Sequence, residues 1–153
     1  MVQVVPKSEM LNLAGRDFGS SDWLIIDQDR INVFADATND HQFIHVDTEK
    51  VKNTPAGTTI AHGFLTLSLL SHLAGGLGAV PEGHTMTYNY GLNKVRFLTP
   101  VKVNSRIRAH VKCQKVTEKR PGQYLMQSEV TIEIEGEQKP AMVAESLGLV
   151  FCA

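Results

Sequence analysis

Two hydrophobic periods divide the chain: apolar residues recur at helical spacing until about residue 74 and alternate with polar ones later. Residues 22–26, with Trp23, Leu24, Ile25 and Ile26, predict a short strand, after which Asp27 is placed to cap a helix reaching about Thr38. Ile31, Phe34, Ala35 and Thr38 would share one face of it, and Asn39 tolerates the left-handed conformation that ends helices. Another short helix is expected to start at Asp47 or Thr48. Residues 64–74 are apolar around the whole circumference, which predicts a long helix wrapped by other structure and stopped by Gly75-Gly76.

Beyond that helix the pattern becomes that of half-buried strands. In residues 101–113 the odd positions are apolar or small and the even ones polar, mostly basic; after a Pro121-Gly122 turn, Met126, Ser128, Val130, Ile132 and Ile134 alternate with Gln127, Glu129, Thr131, Glu133 and Glu135. A hairpin would set Lys102, Arg106, Arg108 and Lys112 near the glutamates, each pair contributing about 0.2–1 kcal/mol, so the basic run reads as a solvated sheet face. Strands over residues 86–97 and 141–151 complete a meander. The expectation is an α+β domain over residues 1–153, an antiparallel sheet wrapped around a long central helix. One sheet covers one side of such a helix, so a homodimer joining sheets edge to edge is expected.

Charge sharpens this picture. Lys and Arg number 15 and Asp and Glu 16, a net charge of −1 that gives no reason to expect nucleic acid as a partner. Between Lys52 and Lys94 the only formal charge is Glu82, consistent with burial of the middle segment. The apolar centre, 11 residues containing Thr66, Ser68, Ser71 and His72, is too short to span a membrane. The first residues lack a signal-peptide h-region, and Cys113 and Cys152 suggest neither a disulfide scaffold nor a zinc site, so a cytoplasmic protein is expected. No Gly-rich phosphate loop or metal-ligand spacing is visible, and no metal is expected.

Candidate chemistry concentrates in residues 40–45 and 62–63. Asp40 and His45 lie in a short polar segment, and a carboxylate beside an imidazole can hold and deprotonate water. The same spacing also fits an Asp ending the preceding helix and a His packed over the core. Gly63 opens the apolar helix, where unpaired N–H groups can polarise a carbonyl oxygen, although a glycine there can simply begin a helix. Of the other histidines, His41 is expected at the surface, His62 to orient its loop through a hydrogen bond, and His72, His84 and His110 to be structural or exposed.

The run 40–47 (DHQFIHVD) followed by 60–70 (IAHGFLTLSLL) resembles the hydratase signature of the MaoC-like dehydratases, the (R)-specific enoyl-CoA hydratases of hot-dog fold. Residues 89–97 (NYGLNKVRF) with Pro100-Val101 resemble the branch that includes nodulation protein N and actinobacterial 3-hydroxyacyl-thioester dehydratases. The resemblance spans roughly residues 18–151. It implies a single hot-dog domain that dimerises, and a lyase that reversibly hydrates trans-2-enoyl-CoA or another enoyl thioester to the (R)-3-hydroxyacyl product, a step of fatty acid metabolism. By that resemblance Asp40 and His45 are the catalytic dyad, Gly63 binds the thioester carbonyl, and Ser71 and Gln42 complete the substrate site. Many members have Asn-Pro where this chain has Gln42-Phe43, keeping an amide but losing the ring. The expected partner is an acyl-CoA or acyl-carrier-protein thioester, with no cofactor beyond the CoA of the substrate. Alternatives are a hot-dog acyl-CoA thioesterase and a noncatalytic acyl-thioester binding module.

Overall fold

The computed structural model describes residues 2–153. Strands β1 (Gln3–Val5), β2 (Asp17–Ser20) and β3 (Leu24–Ile26) come first, a 3-10 helix over Lys7–Leu13 lying between β1 and β2. Helices α1 (Gln28–Thr38) and α2 (Phe43–Val46), a 3-10 turn over Lys50–Asn53, then α3 (Gly63–Ser68) and α4 (Leu70–Leu73) follow. Strands β4 (Ala79–Pro81), β5 (His84–Phe97), β6 (Ser105–Arg120), β7 (Gln123–Ile134) and β8 (Met142–Cys152) complete the chain.

The predicted hairpin forms the centre of a six-stranded antiparallel sheet. Its order is β2-β6-β7-β8-β5, and β3 also lies along β6. Cross-strand register sets Arg108 opposite Glu133 and Lys112 opposite Glu129, and the outer face carries ion pairs Arg106–Glu135 at 3.0 Å and Arg108–Glu133 at 2.6 Å. The Pro121-Gly122 turn needs its glycine: φ is +76°, and a Cβ would approach the Cys152 carbonyl oxygen to 2.7 Å. The other face buries Ile107, Ala109, Val111, Val130, Ile132 and Ala144 against Ile31 and Phe34 of α1 and Leu65 and Leu73 of the later helices. A second apolar cluster, in which Met10 and Leu13 meet Cys113, Val116 and Tyr124, packs the N-terminal 3-10 helix on the sheet.

The 64–74 stretch departs from expectation. Rather than one long helix it is two short ones, α3 and α4, meeting at Leu69. Leu69 still donates to the Leu65 carbonyl, but the chain tightens with His72 N–H on Leu69 O, an i→i−3 bond of 3-10 type. No glycine or proline marks that point. The stretch is also one-sided: Leu65, Leu69 and Leu73 are buried, while Phe64, Ser68, Ser71 and His72 are exposed in the single chain. The strand expected over 22–26 begins only at Leu24, and the segment after Asp47 forms a 3-10 turn from Lys50. β1 pairs in parallel with β4, an unpredicted two-stranded sheet joining segments 76 residues apart in register. Among the described residues no helix is long and apolar enough to cross a membrane.

Candidate active site

Helix ends deliver the first half of the site. Asp27 caps α1 by accepting the Arg30 N–H at 2.8 Å, and Asn39 at φ +57° returns its N–H to Ala35 O. That left-handed residue turns the chain so that Asp40 leaves the helix with its own N–H on Ala35 O at 3.1 Å and its side chain exposed. Gln42 then joins the two predicted catalytic residues through its backbone: its N–H donates to Asp40 Oδ1 at 3.3 Å, and its carbonyl accepts from the His45 N–H at 2.9 Å. Asp40 thus makes a local turn as well as presenting a carboxylate.

The second half arrives with the strand-like run before α3. Ile60 N–H donates to Ile44 O at 3.1 Å and Ala61 N–H to Val101 O at 2.8 Å, fixing the backbone beside α2. The Ile60 carbonyl accepts from His45 Nδ1 at 2.7 Å. Since a carbonyl can only accept, Nδ1 carries the proton and Nε2 is left as a free base. The backbone of His45 is held too: Gln28 Nε2 donates to its carbonyl at 2.8 Å, and Thr59 donates to Gln28 Oε1 at 2.5 Å.

His62 lies over His45, ring centroids 3.7 Å apart and planes 23° from parallel, and Phe34 packs against it with a tilted ring at 5.1 Å. Its Nε2 donates to the Asp40 carbonyl at 3.0 Å, while Nδ1 is buried without a partner. A carboxylate oxygen of Asp40, a ring nitrogen of His45 and one of His62 lie within 4.8 Å of one another. No metal-ligand spacing was visible in the sequence, and the geometry suits an ion poorly. Imidazoles bind metals in the ring plane at about 2.0–2.1 Å, and nearly parallel rings direct their lone pairs side by side. A water bridging Asp40 and His45 fits the same separation through two hydrogen bonds.

Burial is the largest influence on His45 and pushes its pKa below the ordinary 6.5; the His62 ring adds to this, while the Ile60 carbonyl and Asp40 pull the other way. The imidazole therefore stays neutral, as a base must, to lower pH than a free histidine. Beside it, His62 precedes α3, and Leu65 and Thr66 both donate to the His62 carbonyl. The N–H groups of Gly63 and Phe64 belong to the first turn and have no partner within the helix. Gly63 is under pressure from β5, because a Cβ would sit 3.2 Å from the Phe97 ring.

Ser71 stands apart from this cluster. It lies on α4, accepts from Asn89 Nδ2 of β5 at 3.3 Å and lines a cavity of about 720 Å³ between α4 and the sheet, with Leu70, Ala74, Val111, Met126 and Val130 among its apolar walls. Of the remaining histidines, His41 is half exposed and bonds Asp36 at 2.8 Å, and His110 reaches Asp17 at 3.0 Å. Sequence reading did not find Gln28, Thr59 or the Ile60 carbonyl, the groups that hold His45. Nothing in their spacing marks them, because they converge only when the loop from Asp47 to Ile60 closes.

Known proteins resemble the chain over most of its length. 3-Hydroxyacyl-thioester dehydratase Z of Mycobacterium tuberculosis (strain ATCC 25618 / H37Rv) is 48% identical over 140 residues, 92% of each chain. Nodulation protein N of Rhizobium leguminosarum bv. viciae is 45% identical over 138 residues, covering 89% of this chain and 85% of its own. Among solved structures, the (R)-hydratase from A. caviae involved in PHA biosynthesis superposes with a TM-score of 0.71 at 22% identity, over 88% of this chain and 94% of that one, which shows the shared hot-dog fold. The family model described as MaoC like domain matches residues 9–135, spanning both halves of the site, and the chain belongs to that MaoC-like dehydratase family.

Proposed function

We propose that this protein is a lyase that reversibly hydrates trans-2-enoyl thioesters to (R)-3-hydroxyacyl thioesters. The observation that carries the reading is His45 itself: buried, its Nδ1 proton committed to Ile60 O, its Nε2 free, and Asp40 within one water's reach. A water held between Asp40 and His45 Nε2 adds its oxygen to C3, its proton passing to the dyad as the C–O bond forms. The electron pair of the double bond moves towards the thioester carbonyl, and the dyad gives the proton it took from the water to C2, which completes the product and restores the dyad. The Gly63 N–H faces the carbonyl oxygen as charge develops on it, a donor of a kind worth about 3 kcal/mol in a preorganised site. The name of the 48% identical relative supports the substrate class.

The acyl chain is assigned to the apolar cavity beside α4, whose polar wall residues include the hydrogen-bonded pair Ser71 and Asn89. CoA or acyl carrier protein would carry the thioester, and no further cofactor is invoked. Gln42 acts through its backbone, tying Asp40 to α2. A second copy of the chain is assigned to β5. That strand is the sheet edge, and it exposes Met86, Tyr88, Tyr90 and Leu92, with Phe97 and Phe64 beside Gly63. An uncovered edge of 14 residues invites pairing. Two unpaired cysteines support a reducing, cytoplasmic setting.

Hydration is tested by the fall in enoyl-CoA absorbance across chain lengths, with chiral analysis of the product. Loss of absorbance giving the (R)-alcohol supports the reading. Free thiol released without hydration would replace it by thioester hydrolysis, and binding without turnover by a carrier role. Sedimentation as a monomer at micromolar concentration would remove the second copy.

A further inference from the structure

We propose that His62 is a positioning residue that clamps Asp40 and His45 into one unit, bonding the Asp40 peptide through Nε2 and stacking its ring on His45. The proposal rests on the enoyl-thioester reading for the reaction it serves, and on geometry for the clamp itself. His62 is 3% exposed and its ring fills the space against both Phe34 and His45. A phenyl ring would fill that space equally well. What phenylalanine cannot supply is the Nε2–H that fixes the Asp40 carbonyl at 3.0 Å, and with it the peptide from which the water-holding carboxylate projects. The imidazole also brings Nδ1 into the interior without a partner, an unfavourable placement for a residue that only packs.

The stacking constrains His45 in two ways. A ring 3.7 Å away blocks rotation about the His45 side chain, so Nε2 keeps its aim while Nδ1 remains on Ile60 O. A second proton on either imidazole would bring positive charge against the face of the other. The titratable groups acting on His45 are His62 and Asp40. From the elements packed around them, α1 contributes the uncharged Gln28 and Phe34, residue 60 contributes a carbonyl, and Phe97 of β5 covers Gly63. His62 is one of the groups that lower the His45 pKa, so replacing it by an apolar ring should make His45 easier to protonate.

Two substitutions separate these roles. His62→Phe keeps the packing and deletes the donor; His62→Gln restores an N–H at the position of Nε2 without a titrating ring. With enoyl-CoA as substrate, His62→Phe should lower kcat about 100-fold and leave KM within about threefold, because a shifted catalytic group is costly without loss of binding. His62→Gln should recover about tenfold of that loss. In both variants the acidic limb of the kcat/KM profile should move to higher pH, and the His45 Cε1–H resonance should titrate at higher pH than in the unsubstituted protein. Long-range nitrogen–proton NMR should show His45 protonated on Nδ1 and His62 on Nε2. A His45 titration midpoint unmoved in both variants, or a His62→Phe kcat within about twofold of the unsubstituted enzyme, overturns the proposal. If His62→Phe does not fold, the midpoint in His62→Gln decides alone. Absence of enoyl hydration by the unsubstituted protein would instead overturn the reading of the reaction, and the NMR midpoint would still decide the clamp.

Discussion

Along the β6–β7 hairpin burial alternates residue by residue, whereas between Asp40 and Gly63 the chain is short helices and loops whose order depends on a few buried polar contacts. The hairpin holds its shape through area: Ile107, Ala109, Ile132 and their neighbours are removed from water, and register follows from which face is apolar. The site segment has little such redundancy. His45 depends on single bonds to Ile60 and Gln28, and Asp40 on bonds to Ala35, Gln42 and His62. Stability and chemistry are thus carried by different parts of the chain, and substitutions should separate them.

The largest expected effect lies in the site. Asp40→Asn keeps the shape of an exposed side chain and removes the carboxylate, so hydration should fall about 10²–10⁴-fold while the melting temperature stays within about 2 °C. Undiminished turnover would remove Asp40 from the dyad. Ile132→Ala should do the reverse. Its side chain is fully buried at the sheet centre, so truncation should cost about 2–5 kcal/mol in urea unfolding and leave the rate per folded molecule within about twofold. A comparable loss of rate per folded molecule would show that sheet and site are coupled.

Legibility in the sequence follows the same division. The Asp27 cap, the Asn39 stop, and the hairpin with its opposed charges were all readable, because a cap or a period of two is a local property. Asp40, His45 and Gly63 were candidates on residue chemistry, but their spacing fitted a helix-ending Asp, a core His and a helix-starting Gly as well, and motif resemblance was needed to assign their roles. The break at Leu69 was not legible, since the apolar run continues through it without glycine or proline. Neither was the β1–β4 pairing, which joins three-residue strands too short to show a period. His62 read only as a loop-orienting residue, because its place over His45 depends on closure of a loop of more than a dozen residues and on the end of α1.

Acid should weaken the site segment before it weakens the hairpin. His45 has a pKa below its unfolded value of about 6.5, so the unfolded chain binds the extra proton more readily. The stability this contributes is fully present above 6.5 and is lost as pH falls through the folded-state value. Urea midpoints measured from pH 7.5 downward should therefore decline more steeply in the unsubstituted protein than in His45→Gln, and the effect of this one group should be smaller than that of Ile132→Ala. Parallel slopes would show that His45 does not contribute to acid lability.

The smallest expected effect is on the outer face of the hairpin. Arg108 bonds Glu133 at 2.6 Å and lies over the Trp23 ring at 4.5 Å, but both charged side chains are about one-third exposed. Water screens such a pair, and a double-mutant cycle of Arg108→Ala with Glu133→Ala should give a coupling of about 0.2–1 kcal/mol. Arg108→Ala alone should cost somewhat more than the coupling, because it also uncovers Trp23. Raising salt to about 1 M shortens the screening length to about 3 Å and should reduce the coupling while leaving the stacking component in place. A coupling above about 2 kcal/mol would mean that the hairpin depends on individual polar contacts as the site does. The division between area-held sheet and contact-held site would then fail at its most exposed point.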